Sequence, residues 1–351
     1  MVEIKTTSQA NSIARDSFGR RLGSLRLSVI DRCDLRCTYC MPAEDYTWLP
    51  NEDILTFEEI ERTVEAFGAL GVRKVRLTGG EPLLRGGLTE LVERLSKNST
   101  VDDLAMTTNA TQLAKWAESL HNAGLRRVTV SLDTLNPARF ETLTRRVVLD
   151  RVLTGIREAA RVEFSEIKIN TVVMQGFNDD ELFDIIEFGK QVGAEVRFIE
   201  YMDVGGATLW SMERVFPKEE ILSRLRSYYG IIEEITGRGS SPAERFRLPD
   251  GTNFGVIAST TEPFCISCDR SRVTADGMWY LCLYANKGYN LRKWLREGFT
   301  QEQLMEKIHN VWLERADRGA ENRLNEPTRG ALYHVEELKS DPHREMHTRG
   351  G

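Results

Sequence analysis

A chain of 351 residues, at the ~150 residues per domain usual for globular proteins, makes either two domains or one large barrel with an appendage. With 41% hydrophobic and 28% charged residues it has the apolar material for a full core, which excludes a disordered or fibrous chain. Its net charge of −6, from 47 basic and 53 acidic residues, excludes a sequence-independent grip on DNA or RNA, so any polyanion must be met by a local basic pocket.

The first twenty residues mix charged and polar groups and lack the apolar core of a secretory signal, and no stretch approaches 18 consecutive apolar residues. The expectation is a cytoplasmic protein without a membrane span. Six cysteines in a reducing compartment are expected to bind metal or act in catalysis rather than form disulfides.

From about Leu25 to Tyr201, short β-rich runs alternate with amphipathic stretches, the pattern of βα units around a parallel sheet. Strands are expected at Leu25 to Ile30, Lys74 to Thr78, Asp103 to Thr107, Arg127 to Leu132, Glu166 to Val173 and Glu195 to Glu200. Thr56-Phe57-Glu58-Glu59 reads as a capping box that opens a helix running to about Leu70, and Gly71 closes it. Further helices are expected over Leu88 to Lys97, Thr111 to Ala123, Asp150 to Val162 and Asp179 to Val192. Six such units form an open doubly wound sheet or an incomplete barrel, and periodicity does not separate the two. In both, reactive groups gather beyond the carboxyl ends of the strands, where Cys33, Gly79-Gly80-Glu81-Pro82, Thr108-Asn109 and Asp133 all lie.

After Gly205-Gly206 the alternation stops. A helix from Pro217 to about Tyr229 leads into a Gly, Ser and Arg-rich loop, Thr236 to Pro242, and then into strand-like runs at Asn253 to Ser259 and Met278 to Leu283. A boundary is expected near residue 215. The polar stretch from Ser340 ends in Gly350-Gly351 and reads locally as a frayed terminus.

The cysteines fall into two triads, Cys33, Cys37 and Cys40, then Cys265, Cys268 and Cys282, with none left over. Closed structural zinc sites use four protein ligands, so three thiolates leave an open position unless a remote residue such as His309 or His334 completes a zinc site. The Cys-x-x-x-Cys-x-x-Cys run directly after a strand favours a 4Fe-4S cluster, which three closely spaced thiolates would hold with one iron free. Around the same mouth stand the cations Arg26, Lys74, Arg76, Lys168, Arg197, Arg270 and Arg272. Each singly reads as a surface ion-pair residue; together they suit a small polyanion such as a triphosphate.

Arg26 to Pro42, with its three cysteines, resembles the cluster loop of radical S-adenosylmethionine enzymes, and Gly79-Gly80-Glu81-Pro82 resembles their methionine-binding motif. Pro263-Phe264-Cys265-Ile266-Ser267-Cys268-Asp269-Arg270-Ser271-Arg272, followed by Cys282, resembles the carboxy-terminal cluster segment of the GTP 3′,8-cyclase family. That resemblance runs from Arg26 to the terminal glycines. It implies an α/β fold, an incomplete (β/α)6 TIM-like barrel over residues 1–215 with one 4Fe-4S cluster. It further implies an auxiliary-cluster and substrate-binding region over residues 216–339, a flexible tail over residues 340–351, and a homodimer.

The resemblance assigns S-adenosylmethionine contacts to Tyr39, Gly79, Gly80, Glu81, Ser131 and Met202. It assigns GTP contacts to Arg26, Arg76, Thr107, Lys168, Arg270, Ser271 and Arg272, with Lys74 and Arg197 as further candidates, and catalytic parts to Arg272, Gly350 and Gly351. The implied reaction cleaves S-adenosylmethionine with one electron, takes hydrogen from the ribose 3′ carbon of GTP and joins that carbon to guanine carbon 8. The implied partners are a flavodoxin or ferredoxin as reductant and cyclic pyranopterin monophosphate synthase, which takes the product. Three positions depart from the family pattern: Asp269 where asparagine is common, Ala110 where glycine is frequent, and Arg349 where an aliphatic residue is usual. The rival readings are another radical enzyme with an auxiliary cluster, acting on a peptide, and a zinc-stabilised binding protein.

Overall fold

Period-two alternation in the first half of the chain sends one set of strand residues toward the helices and the other into a polar mouth. In the computed structural model, which describes residues 13–43 and 45–350, β1 is Ser24–Ser28, β2 Lys74–Thr78 and β3 Asp103–Thr108. The next three are β4 Arg127–Ser131, β5 Glu166–Val173 and β6 Glu195–Glu200. Leu25, Leu27, Val75, Leu77, Val128, Val130 and Phe198 are buried in the core, while the alternate residues Arg26, Arg76, Thr129 and Arg197 turn to the other face.

The helices between them are α1 Phe57–Ala69, α2 Leu88–Ser96, α3 Leu113–Asn122, α4 Pro137–Thr144, α5 Leu149–Val162 and α6 Leu182–Val192. The capping box opening α1 forms as expected: Glu59 N–H donates to Thr56 Oγ1 and Thr56 N–H to the Glu59 carboxylate, a device worth about 1 kcal/mol. Helix α4 was not expected. At eight residues it is too short to show periodicity, although Asn136 caps its first turn and Pro137 starts it, an N-cap and N1 pair that carries the signal.

The second half continues with α7 Lys218–Tyr229, β7 Glu233–Ile235, β8 Glu244–Arg247, β9 Asn253–Ile257, β10 Arg270–Val273, β11 Met278–Tyr280 and β12 Tyr289–Asn290. Four helices follow: α8 Leu291–Arg296, α9 Gln301–Leu313, α10 Gly319–Leu324 and α11 Val335–Ser340. All strands join one sheet in the order β12-β11-β10-β1-β2-β3-β4-β5-β6-β9-β8-β7. β10 lies parallel beside β1 and β9 parallel beside β6, so the residues after 215 extend the same sheet at both edges.

Beyond α11 the chain turns twice, at Pro342–Arg344 and Met346–Thr348. Glu345, His347, Thr348 and Arg349 are buried, so through Gly350 the tail is packed rather than frayed. Among the described residues, no helix is long and apolar enough to cross a membrane.

Candidate active site

The parallel register sets Arg272 beside Arg26 and Arg26 beside Arg76, three guanidinium groups in one row across β10, β1 and β2. Arg76 reaches further, donating to Thr107 Oγ1 at 3.2 Å and Thr129 Oγ1 at 3.0 Å on β3 and β4. Among the described residues, none of Arg26, Arg76, Arg270 and Arg272 has a carboxylate at ion-pair distance, whereas Lys168 pairs with Glu166 and Arg197 with Glu195.

The electrostatic cost of this row is visible in its proton affinities. Burial, then Arg272 and Arg76, push Arg26 well below the usual guanidinium range. Burial, then Arg127 and Arg197, lower Arg76 to about 10, and burial, then Arg270, lower Arg272 to about 10. Lys168 falls to about 8 through burial and Arg197, against the pull of Glu166. Mutually repelling buried arginines with no ion-pair partner among the described residues form a site that a polyanion stabilises.

Two expectations for the GTP contacts change. Ser271 does not face the mouth: strand alternation turns it to the opposite side from Arg270 and Arg272, fully buried, with its hydroxyl accepting from Trp279 Nε1. Lys74 stands exposed at the amino end of β2, lining a cavity of about 420 Å³ with Arg21 and Asp269, a strand's length from Gly79. Asp269 itself accepts from Ser24 Oγ at 3.1 Å, at that same lower end.

The first triad sits on the loop after β1, clamped by the ends of the neighbouring strands. Gly80 N–H donates to Ile30 O at 2.8 Å and Glu81 N–H to Arg32 O at 2.7 Å. A Cβ on Gly80 would lie 2.2 Å from Arg32 O, and one on Gly79 2.5 Å from Ile30 O. These glycines therefore let the turn press against the cysteine loop's own backbone.

Glu81 Oε1 accepts from Leu83 N and Thr108 Oγ1, and Oε2 from Asn109 N. Burial raises its carboxyl to about 7 despite these bonds. Asn109 Nδ2 and Thr111 Oγ1 both bond Asp34 inside the triad, at 2.7 and 2.6 Å. Tyr39 donates from its hydroxyl to Asp133 at 2.6 Å.

Ser131 ends β4 exposed beside Asn170, and Met202 follows β6 half-buried. Burial pushes Cys33 up to about 12, and burial with neighbouring thiolates pushes Cys37 and Cys40 well above the ordinary range. These shifts favour the thiol form, so binding of a metal group here would release protons.

The second triad hangs on two buried arginines that sequence reasoning missed. Arg20 donates to Cys265 O at 2.9 Å and Asp317 O at 2.8 Å; Arg315 donates to Cys268 O at 2.9 Å and Leu281 O at 3.1 Å. Asp16 pairs with both, at 2.6 and 3.0 Å. No local pattern announces partners nearly three hundred residues apart. Arg270 Nη2 lies 3.4 Å from Cys268 Sγ and its guanidinium stacks on Phe264. Burial raises Cys268, but Arg270 and Arg315 outweigh it and bring the thiol down to about 6.

A single tetrahedral zinc needs its sulfurs roughly 3.8 Å apart, from Zn–S bonds of about 2.3 Å. Among the described residues, no three Cys, His, Asp or Glu side chains converge in that way, and neither His309 nor His334 joins a triad.

The tail closes the mouth. Gly350 O accepts from Arg26 Nη1 and Arg272 Nη1, each at 2.9 Å, and Thr348 O accepts from Ser28 Oγ at 3.0 Å. Gly350 has φ +66°, and a Cβ there would lie 2.4 Å from Thr78 Oγ1. Gly351 lies outside the described residues. Ala110, where glycine is frequent, also takes a positive φ of 62°.

The Radical SAM superfamily profile matches residues 27–189, and the Molybdenum Cofactor Synthesis C profile residues 194–321. The chain is 54% identical over 341 residues to GTP 3′,8-cyclase 3 of Mycobacterium bovis, covering 96% of this chain and 90% of that protein. It is 43% identical over 311 residues to GTP 3′,8-cyclase of Aquifex aeolicus, covering 88% and 94%. Among solved structures it resembles SuiB of Streptococcus suis bound to S-adenosylmethionine, with a TM-score of 0.58 at 18% identity, covering 86% of this chain and 67% of that one, a likeness of fold. A mostly parallel sheet, a cysteine triad clamped by a Gly-Gly-Glu-Pro turn, and identity along nearly the whole chain agree, and the chain belongs to the GTP 3′,8-cyclase family of the radical S-adenosylmethionine superfamily.

Proposed function

We propose that this protein converts GTP to (8S)-3′,8-cyclo-7,8-dihydroguanosine 5′-triphosphate, the first step of molybdenum cofactor biosynthesis. The observation that carries this reading is the row Arg272, Arg26 and Arg76, free of carboxylates among the described residues and lying between two cysteine triads. Within it, residues 1–215 form an incomplete (β/α)6 barrel, residues 216–339 cover it with the second-cluster region, and the tail caps the mouth.

Cys33, Cys37 and Cys40 would hold one 4Fe-4S cluster and Cys265, Cys268 and Cys282 another. The chemistry supplied at the first triad is one-electron reductive cleavage of S-adenosylmethionine. Glu81, Gly79, Gly80, Tyr39, Ser131 and Met202 would hold and orient that cofactor, with Glu81 accepting from its ammonium. Arg26, Arg76, Arg270 and Arg272 would take the triphosphate, with Thr107, Lys168 and Arg197 beside them. Fixing the ribose against the reacting carbon is worth ~7 to 11 kcal/mol of the barrier when the geometry is near contact. A flavodoxin or ferredoxin would supply electrons in the cytoplasm, the next enzyme would be cyclic pyranopterin monophosphate synthase, and the working form would be a homodimer.

The test is an anaerobic assay with GTP, S-adenosylmethionine and a strong reductant. Arg272→Ala should retain both clusters and uncoupled cleavage of S-adenosylmethionine while cyclised GTP falls by about 100-fold or more, the loss expected for one buried charge-assisted fork. Normal product from that variant removes Arg272 from the site.

Affinity for S-adenosylmethionine should also depend on pH. Glu81 titrates near 7, and its ionised form, the better acceptor, grows as pH rises. The dissociation constant measured by anaerobic dialysis should therefore drop about tenfold between roughly pH 6 and pH 8. A flat profile denies Glu81 the ammonium.

A further inference from the structure

We infer that Arg349 is a positioning residue that locks the terminal segment to the loop carrying Cys282 and so sets the Gly350 carbonyl on Arg26 and Arg272. Arg349 stands where an aliphatic residue is usual, and among the described residues it meets no carboxylate. Its side chain is 2% exposed and donates from Nη1 to Leu283 O at 2.9 Å and Ala285 O at 2.8 Å, and from Nε to His343 O. The guanidinium lies 4.2 Å from the centre of the Tyr280 ring. Nη2 has no partner among the described residues.

Burying a cation without a counter-charge costs several kcal/mol, which an aliphatic residue would avoid. What arginine adds is a planar fork whose donors meet carbonyls on two separate segments at once, with a π face beneath. One of those segments begins directly after Cys282, and the other is the tail's own first turn. The next residue is Gly350: the planar peptide between them fixes the Arg349 carbonyl, which accepts from Arg272 Nη1 at 3.3 Å, and the position of the Gly350 Cα, from which Gly350's own φ of +66° turns its carbonyl to the two arginines. A second tie lies outside this fork: His343 Nε2 is 2.8 Å from Asp276 and holds the start of the tail. Arg349 holds its end, together with the bond that Thr348 O accepts from Ser28 Oγ at 3.0 Å.

The experiment compares anaerobically reconstituted full-length enzyme with R349A and R349Q by hydrogen exchange. Peptides within 342–350 should exchange about tenfold faster or more in both variants, with β1 to β6 unchanged and iron retained, because only a local opening is released. Product formation at saturating GTP should fall in parallel, this arm alone resting on the proposed activity. Unchanged tail protection overturns the inference, and so does loss of protection throughout the sheet, which would make Arg349 a general stability residue. A wild-type enzyme that cyclises no GTP sinks the functional reading while the exchange result still stands.

Discussion

Changing Cys33, Cys37 and Cys40 to alanine should halve the iron bound per chain, from about eight atoms to about four, and the same should follow from changing Cys265, Cys268 and Cys282. The losses are expected to be independent because the two loops are scaffolded separately. Asp34, Asn109, Thr111, Tyr39 and Asp133 brace the first, and Arg20, Arg315 and Asp16 brace the second. The first substitution should abolish cleavage of S-adenosylmethionine outright, and the second should leave uncoupled cleavage while abolishing cyclisation. Elemental analysis of anaerobically purified protein decides it: zinc at one per triad with no iron ends the cluster assignment.

Deleting Gly350 and Gly351 should abolish GTP cyclisation with cluster content and thermal stability nearly unchanged. The stability expectation follows from the anchors left in place, since Arg349, Thr348 and His343 keep their bonds. What disappears is the carbonyl shared by Arg26 and Arg272. Gly350→Ala tests the same point without shortening the chain, because a left-handed φ costs a non-glycine residue ~1 to 2 kcal/mol. The added methyl would also meet Thr78 Oγ1. Its product rate should fall toward that of the deletion. Cyclisation at the wild-type rate by the truncated enzyme would leave the tail as a mere cap.

Much of the site was legible because its signals are local. Cysteine spacing, the Gly-Gly-Glu-Pro turn and the capping box at Thr56 each lie within a few residues, and a strand's inward face repeats every second position. That same rule places Arg270 and Arg272 on one face and excludes Ser271, a step that needed only the knowledge that this segment is a strand. Helix α4 was missed because two turns are too few to reveal a period.

Tertiary structure alone decided the rest. The pairing of β10 with β1 brings Arg272 beside Arg26 across nearly two hundred and fifty residues, and nothing in either strand specifies the other. The bonds of Asp16 to Arg315, and of the tail to the row of arginines, are of the same kind. Local periodicity is set by backbone geometry and can be read from the order of residues along the chain. Which distant segments meet is set by packing and by the satisfaction of buried polar groups, summed over the whole fold.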